Sequence, residues 1–323
     1  MKRLAVLTSG GDAPGMNAAV RAIARAALAR NWEVCGVKNG YAGLLADAIV
    51  PLAARDVGGI IQRGGTFLGS ARCPEFAQQA GREKALRNLA TRGIDALVVI
   101  GGNGSQTGTA SLSKEGFAAV GVPSTIDNDL YGTDVSIGAD TAINVTLEAI
   151  DRLRTTASSH QRAFVVETMG RDCGYIALMA GLAGGAEVIA IPELEVEPAE
   201  IAERLRAAYR RGKTHALVVM AEGAKHGVQA LLRHYGEQKD TIGFELRLTR
   251  LGHVVRGGVP SAADRVLATR LGAAAVESLA AGRTGVLMGM QGGKIVSTAL
   301  AEIGGRTRPA DAGLLDLART LAM

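Results

Sequence analysis

Three cysteines, Cys35, Cys73 and Cys173, are all that the 323 residues contain. The odd count and the spacing match no metal or disulfide framework, so reduced thiols in a cytoplasmic protein are expected. Aromatic residues make up only 3% of the chain, with Trp32 the single tryptophan. Stacking platforms for nucleic acid are therefore missing, and the core has to be packed from Ala, Val, Leu and Ile. The formal net charge is +5, yet no Lys/Arg-rich run is present. Arginines scattered near glycine loops suit anionic small molecules better than nucleic acid, and no nucleic-acid partner is expected. No charge-free apolar stretch reaches membrane-spanning length, and no signal-peptide pattern follows Met1, so no membrane partner is expected. No low-complexity linker divides the chain.

Glycine is abundant. Its 43 residues lie well above the usual share of roughly 7%. They cluster after apolar runs and show no collagen period. With 47% hydrophobic residues the chain has ample material for a core, and its length suggests about two domains. Strand patterns at 3–8, 33–38, 96–100, 118–122, 162–168, 187–191, 215–220 and 284–288 alternate with helical patterns at 16–30, 74–92, 141–158, 173–182, 198–211, 229–235 and 262–279. Such alternation predicts parallel βαβ units. The runs IDALVVIGGNGS at 94–105 and THALVVMAEGA at 214–224 echo one another. The expected fold class is α/β: two similar Rossmann-like three-layer domains with parallel-rich sheets, an active-site cleft between them, and a chain that crosses it more than once.

Three loops have the composition of phosphate sites. Thr8-Ser9-Gly10-Gly11-Asp12-Ala13-Pro14-Gly15-Met16-Asn17 joins the first strand to a helix. Its glycines permit close backbone approach, and a helix start offers free N–H groups. The run is neither a Walker A loop nor a GxGxxG fingerprint, and a tight strand–helix turn is the alternative. Ile100-Gly101-Gly102-Asn103-Gly104-Ser105 repeats the arrangement, and residues 63–72, RGGTFLGSAR, end in an arginine suited to phosphate. Two such loops in one half suit a polyphosphate.

Pro123-Ser124-Thr125-Ile126-Asp127-Asn128-Asp129 follows a strand. In extended chain Thr125, Asp127 and Asp129 would face one way. One carboxylate could then act as base while the other handles a metal; the alternative is a turn closed by Asx bonds. Further arginines, Arg162, Arg171, Arg247 and Arg256, accompany Met169-Gly170 and His253. Arg21 and Arg25 share a helix face, where they either bracket an anion or face solvent.

Taken together and in order, GGDAPGMNA (10–18), RGGTFLGSAR (63–72), TIDND (125–129), SSHQR (158–162), MGR (169–171) and LGHVVRGG (251–258) resemble the bacterial-type ATP-dependent 6-phosphofructokinases over most of the chain. The resemblance implies a glycolytic kinase that transfers the γ-phosphoryl group of Mg-ATP to the 1-hydroxyl of fructose 6-phosphate. It implies Asp127 as general base, with Thr125, Asp129, Arg171 and Gly11 completing the catalytic set. Nucleotide contacts would be Gly11, Tyr41, Arg72, Cys73, Gly102, Asn103, Gly104 and Ser105. Magnesium would lie by Asn103 and Asp129. Sugar-phosphate contacts would be Thr125, Asp127, Arg162, Met169, Gly170, Arg171, Glu222, Arg247, His253 and Arg256, with Arg162 and Arg247 reaching in from a neighbouring subunit of a homotetramer. An effector site for ADP or phosphoenolpyruvate would use Arg21, Arg25, Arg154, Gly185, Glu187, Arg211, Lys213 and His215. On the same basis, residues 1–138 plus about 251–300 would form an ATP-binding domain and 139–250 plus about 301–323 a sugar-phosphate domain.

The chain also departs from that family. Asn103 stands where an Asp usually helps hold magnesium; its amide offers oxygen without charge. Gly104 and Ser124 are small where pyrophosphate-using relatives typically carry Asp and Lys, which favours ATP as donor. Cys73, Ala77, Thr107 and Ser111 replace bulkier residues near the nucleotide, and Ala54 and Gly59 replace charged ones near the effector site. A pyrophosphate-dependent enzyme and a catalytically weak sugar-phosphate sensor are the competing readings.

Overall fold

The computed structural model describes residues 2–158, 162–237 and 243–321. They form two compact units, Met1–Thr141 with Arg256–Arg308 and Ala142–Val255 with Pro309–Met323.

Unit 1 is built on a seven-stranded sheet. Its strands are β1 (Arg3–Thr8), β2 (Glu33–Val37), β3 (Ile49–Pro51), β4 (Ala96–Gly101), β5 (Ala119–Pro123), β10 (Val286–Gln291) and β11 (Lys294–Ala299). The order is β11-β10-β5-β4-β1-β2-β3. The five central strands run parallel, and β3 and β11 add antiparallel edges. Strands β4 and β5 are buried along their whole length, as expected where helices cover both faces of a parallel sheet. Helices α2 (Gly40–Leu45), α3 (Gln79–Thr91) and α4 (Asn103–Lys114) bring Leu44, Leu89 and Leu112 against Ala5, Leu7, Leu97 and Val99. Each such buried aliphatic side chain contributes roughly 1.5–3 kcal/mol. Helices α1 (Met16–Leu28) and α9 (Ala262–Ala280) pack together and against the strands.

A buried carboxylate ties α9 to the chain that follows β5. Asp264 is fully buried. Its Oδ1 accepts from Gly138 N at 2.8 Å, and its Oδ2 from Thr141 N at 2.8 Å and Thr141 Oγ1 at 2.5 Å. Burial raises its pKa above the ordinary 3.8, with Thr141 and Gly138 opposing the shift. Removing the carboxylate strands two buried N–H donors, each costing about 1–3 kcal/mol. Asp264→Ala should therefore lose about 2–5 kcal/mol in urea denaturation at neutral pH. Because the folded pKa is raised, the carboxyl's contribution is fullest below pH 3.8 and declines as pH rises through the folded value. The stability gap between wild type and variant should narrow in that direction; a gap that widens would contradict the burial argument.

Unit 2 holds the four-stranded parallel sheet β7-β8-β6-β9. Its strands are β6 (Arg162–Thr168), β7 (Val188–Ala190), β8 (Ala216–Ala221) and β9 (Glu245–Arg250). On one face α7 (Pro198–Arg210) and α8 (Gly227–Glu237) pack Ile201, Leu205 and Leu231 against Val165 and Val218. On the other, α5 (Ala139–Ser158), α6 (Tyr175–Ala183) and α10 (Ala312–Leu321) bring Ile150, Leu178 and Leu315 to Val166 and Val219. Pro198 opens α7 in its first turn, where a missing N–H is harmless.

Several expectations are corrected. The helical pattern at 74–92 is two pieces: a 3₁₀ turn, Pro74–Ala77, and α3, separated by extended Gln78. Strand β9 was not anticipated because ELRLTR exposes Glu245, Arg247 and Arg250 and fully buries none of its residues, so its hydrophobic signal is weak. Strand β11 pairs with β10 across the two-residue turn Gly292–Gly293, both at positive φ, the backbone that a tight hairpin requires. Helix α4, NGSQTGTASLSK, is too polar to show a helical stripe.

Candidate active site

The strand order of unit 1 reverses about β1, with β2 and β3 on one side and β4 and β5 on the other. Loops leaving β1 and β4 therefore flank a topological switch point, where open α/β sheets bind ligands. Ser9 N donates to Ile100 O at 3.0 Å, bringing the two glycine loops side by side. Helix α4 begins at Asn103, so Asn103, Gly104 and Ser105 form a helix start rather than a free loop. Their N–H groups are the ready-made anion site of a helix N-terminus. Gly104 is exposed, and a Cβ there would meet nothing within 4 Å.

The third loop is stitched to the first. Thr8 Oγ1 bonds Thr66 Oγ1 at 2.7 Å and donates to Gly69 O at 2.9 Å, and Ser70 Oγ donates to Gly10 O at 2.5 Å. Buried Asn17 donates to Arg63 O and Gly64 O and accepts from Phe67 N. This fixes the loop that carries exposed Arg72 and half-buried Cys73. Tyr41, read as a nucleotide contact, is 4% exposed. Its hydroxyl donates to Ser105 O at 2.8 Å and lies 3.0 Å from Thr109 Oγ1, and its ring stacks on Phe76. It braces α4 from within the core, and burial pushes its pKa up.

The run Thr125–Asp129 is a turn, so the extended-chain argument is corrected. Asn128 adopts φ 51°, and Ile126 and Asp127 form the bend. The alternation survives in exposure: Thr125, Asp127 and Asp129 are partly exposed while Ser124, Ile126 and Asn128 are buried. Asn128 holds the turn, donating to Asp134 O at 3.0 Å and accepting from Ser136 N at 2.8 Å. Asp127 N donates to Thr125 Oγ1 at 3.3 Å. Asn103 Nδ2 donates to Asp129 Oδ2 at 2.8 Å, so the turn and the α4 start share one site. Asn103 Oδ1 is buried without a hydrogen-bond partner. An orphan amide oxygen beside a carboxylate fits a hard divalent cation. Ser124 is turned inward, its Oγ donating to Ile137 O at 3.2 Å; of the two small residues weighed for donor size, only Gly104 borders open space.

Arg256 lies in unit 1, where its Nη1 donates to Asp12 O at 3.2 Å and its guanidinium covers Gly11. It was grouped with the sugar-phosphate residues; here it is seated on the first glycine loop.

In unit 2 the loop after β6 carries Met169, Gly170 and Arg171. Met169 is buried, Arg171 exposed and Gly170 at φ 129°. Glu222 N donates to Thr168 O at 2.9 Å, which sets exposed Glu222 beside that loop. Arg162 and Arg247 lie on neighbouring strands and both bond Glu245, Arg162 Nε at 2.9 Å. His253 is exposed in a 3₁₀ turn, Gly252–Arg256. Ser159, His160 and Gln161 of the SSHQR motif lie outside the described residues.

The family model for phosphofructokinase matches residues 3–279. The chain belongs to the phosphofructokinase family. ATP-dependent 6-phosphofructokinase 1 of Thermus thermophilus is 53% identical over 324 residues, covering 100% of both chains. The ATP-dependent 6-phosphofructokinase of Bacillus subtilis is 53% identical over 304 residues, 94% of each. Among solved structures, Pichia pastoris phosphofructokinase in the T-state superimposes with TM-score 0.87 at 39% identity, covering 94% of this chain and 35% of that one.

Among the effector positions suggested by the phosphofructokinase resemblance, six lie in unit 2. Arg154 lies close to exposed Gly185. Glu187, buried, accepts from Leu217 N at 2.6 Å and Lys213 Nζ at 3.0 Å. Arg211 is exposed, and His215 Nδ1 lies 3.3 Å from Thr214 Oγ1. Arg21 and Arg25 are on α1 of unit 1, half-buried and exposed. Sequence reasoning missed Asn17, Asn128, Asp264, Gly223 and Glu245, which position site residues and do not themselves suggest chemistry. Among the described residues, one further group of metal-ligand type occurs, Glu195, Glu197 and His226, at the surface of unit 2. Its members already pair with one another and with Lys225. No helix among the described residues is long and apolar enough to cross a membrane.

Proposed function

We propose that this protein is an ATP-dependent 6-phosphofructokinase: it transfers the γ-phosphoryl group of Mg-ATP to the 1-hydroxyl of fructose 6-phosphate, as a cytoplasmic glycolytic enzyme. The observation that carries the reading is the junction of two glycine loops, the α4 start and the Thr125–Asp129 turn at the switch point of one sheet. Phosphoryl transfer needs mainly positioning and charge stabilisation. The α4 N-terminus and Gly11 N–H supply fixed dipoles for phosphate oxygens. Asp127, partly exposed on its turn, takes the hydroxyl proton as the bond to phosphorus forms. Thr125 shapes that turn by accepting from Asp127 N.

Asp129 and Asn103 Oδ1 would hold magnesium, which when bound neutralises phosphate charge. The fit rests on the orphan Oδ1 beside the Asp129 carboxylate. We assign unit 1 to the nucleotide and unit 2 to the sugar phosphate. In unit 2, Arg171 offsets charge on the transferred group. Arg162, Arg247 and His253 supply cationic and hydrogen-bonding groups for the 6-phosphate, Glu222 binds sugar hydroxyls, and Met169 and Gly170 line the pocket. Arg256, the unit 1 member of the phosphate set, leaves Gly11 when the anion arrives. Arg162 and Arg247 act across a homotetramer interface, and Arg21, Arg25, Arg154, Gly185, Glu187, Arg211, Lys213 and His215 form an ADP or phosphoenolpyruvate site.

A donor comparison tests the reading. Purified protein should convert fructose 6-phosphate to the 1,6-bisphosphate with Mg-ATP, and at least about a hundredfold more slowly with pyrophosphate, whose transfer would forgo the nucleotide's binding energy. Turnover with pyrophosphate and none with ATP would overturn it.

A further inference from the structure

We infer that Gln106 is a positioning residue for phosphoryl transfer: its buried amide ties the first turn of α4 to the strand end that carries the Asp127 turn. The inference rests on the kinase reading for the reaction but on the geometry of unit 1 for the tie. Gln106 follows directly on Asn103, Gly104 and Ser105 in α4 and is fully buried. Its side chain folds back beneath the helix start. There Nε2 donates to Gly101 O at 3.0 Å and Val122 O at 3.1 Å, with Val99 O at 3.3 Å. These carbonyls line the seam between β4 and β5, which pair from Leu97 and Ala119 to Gly101 and Pro123. Gly101 O also accepts from Ser124 N at 3.1 Å, where the chain leaves β5 for the Asp127 turn. That carbonyl is the joint between the second glycine loop and the turn.

The amide can lie only one way round. Reversed, its oxygen would face three carbonyl oxygens. In the orientation adopted, Oε1 is buried with no hydrogen-bond partner. Buried acceptors of that kind are uncommon, and they gather where a functional site constrains the packing. The space for this one comes from Gly121 on β5. A Cβ there would lie well inside contact with Oε1, with Cδ close behind. Amide and glycine together fix the offset between the α4 start and the Asp127 turn. Those are the two parts of unit 1 that phosphoryl transfer has to align. Gln106 touches neither substrate nor reacting atoms; it acts through Gly101 and Ser124.

The test uses Gln106→Met, which keeps length and volume but not the donor, and Gly121→Ala, which keeps the amide but crowds it. Gly101 O keeps its bond from Ser124 N in both, and Gly121→Ala carries the same test should Gln106→Met not fold. In each, kcat with fructose 6-phosphate and Mg-ATP should fall by about 10–10²-fold, while KM for fructose 6-phosphate stays within about threefold. In an Asp127→Asn background the same changes should lower kcat by less than about threefold, because the aim of an absent base no longer matters. A residue that only supports the fold would lower both backgrounds alike. Amide hydrogen exchange supplies a readout that needs no turnover. Both variants should speed exchange at Ser124 N while β1 and β2 keep their protection. Unchanged kcat in both variants, an equal loss in the Asp127→Asn background, or unchanged exchange at Ser124 would overturn the inference. With wild-type turnover intact, such a result sinks the inference alone. No wild-type turnover, with faster exchange at Ser124 in the variants, would sink the kinase reading and leave the tie standing.

Discussion

Asp127→Asn should lower the turnover of fructose 6-phosphate with Mg-ATP by about 10²–10⁴-fold, the usual contribution of a positioned general base. The substitution is nearly isosteric, and the turn around it is held by other groups. Asn128 bonds Asp134 O and Ser136 N, and Asp127 N donates to Thr125 Oγ1, a bond that the substitution leaves in place. The fold and the glycine loops should therefore persist. Thermal unfolding should shift by no more than a few degrees, and nucleotide binding should stay within about threefold, as expected for a change confined to a partly exposed side chain. The loss should fall on kcat and kcat/KM together, because proton removal is realised only in the transition state. A variant that keeps more than a tenth of wild-type turnover would remove Asp127 from the role of base.

The sequence made the buried strands legible because they are continuous apolar runs. ALVVIG of β4 and ALVVMA of β8 are buried throughout, so composition alone marks them. Edge strands were harder to read. In β9, Glu245, Arg247 and Arg250 are exposed while Leu246, Leu248 and Thr249 are only half-buried, and such a segment differs little from a charged loop. Helix α4 was hidden for a related reason: its polar residues give no apolar stripe and bond back to their own helix, as Thr107 and Ser111 do at 3.0 and 3.1 Å.

The candidate site divides in the same way. Residues of a type suited to chemistry, such as Asp127, Asp129 and Arg171, announce themselves by type, and Arg171 also by the adjacent Gly170. Residues that aim them do not. The Thr125–Asp129 turn depends on Asn128 at positive φ, a conformation Asn tolerates better than most residues. Alternation gave the right outward-facing set from the wrong backbone geometry. Asp264 lies far along the sequence from Gly138 and Thr141, and a carboxylate in the first turn of a helix has an ordinary local role at the dipole. Only the fold shows that it is spent on two buried N–H groups.

The second large effect is expected at Gly223, which has no chemistry of its own. Strands β6 and β8 continue to pair beyond their ends: Glu222 N donates to Thr168 O at 2.9 Å and Gly223 N to Gly170 O at 3.3 Å. The backbone of Gly223 consequently runs directly beneath the loop that presents Arg171. A Cβ on Gly223 would lie well inside van der Waals contact with the Arg171 carbonyl, with the Gly170 carbonyl close behind. These are backbone atoms and cannot rotate aside. Gly170 is itself confined, at φ 129° and pressed against the Cys173 carbonyl, so the loop has to move as a body. A displacement near 1 Å of a charge-stabilising group costs about 10² in rate, and the overpacking costs about 1–3 kcal/mol of stability. Gly223→Ala should therefore reduce kcat with fructose 6-phosphate and Mg-ATP by about 10²-fold. Gly236→Ala is the control: it sits on α8, where a Cβ meets nothing within 4 Å, and should leave turnover unchanged. Steady-state kinetics and urea denaturation on both variants decide the matter. Wild-type kcat in Gly223→Ala would mean that the position of the Arg171 loop does not govern phosphoryl transfer.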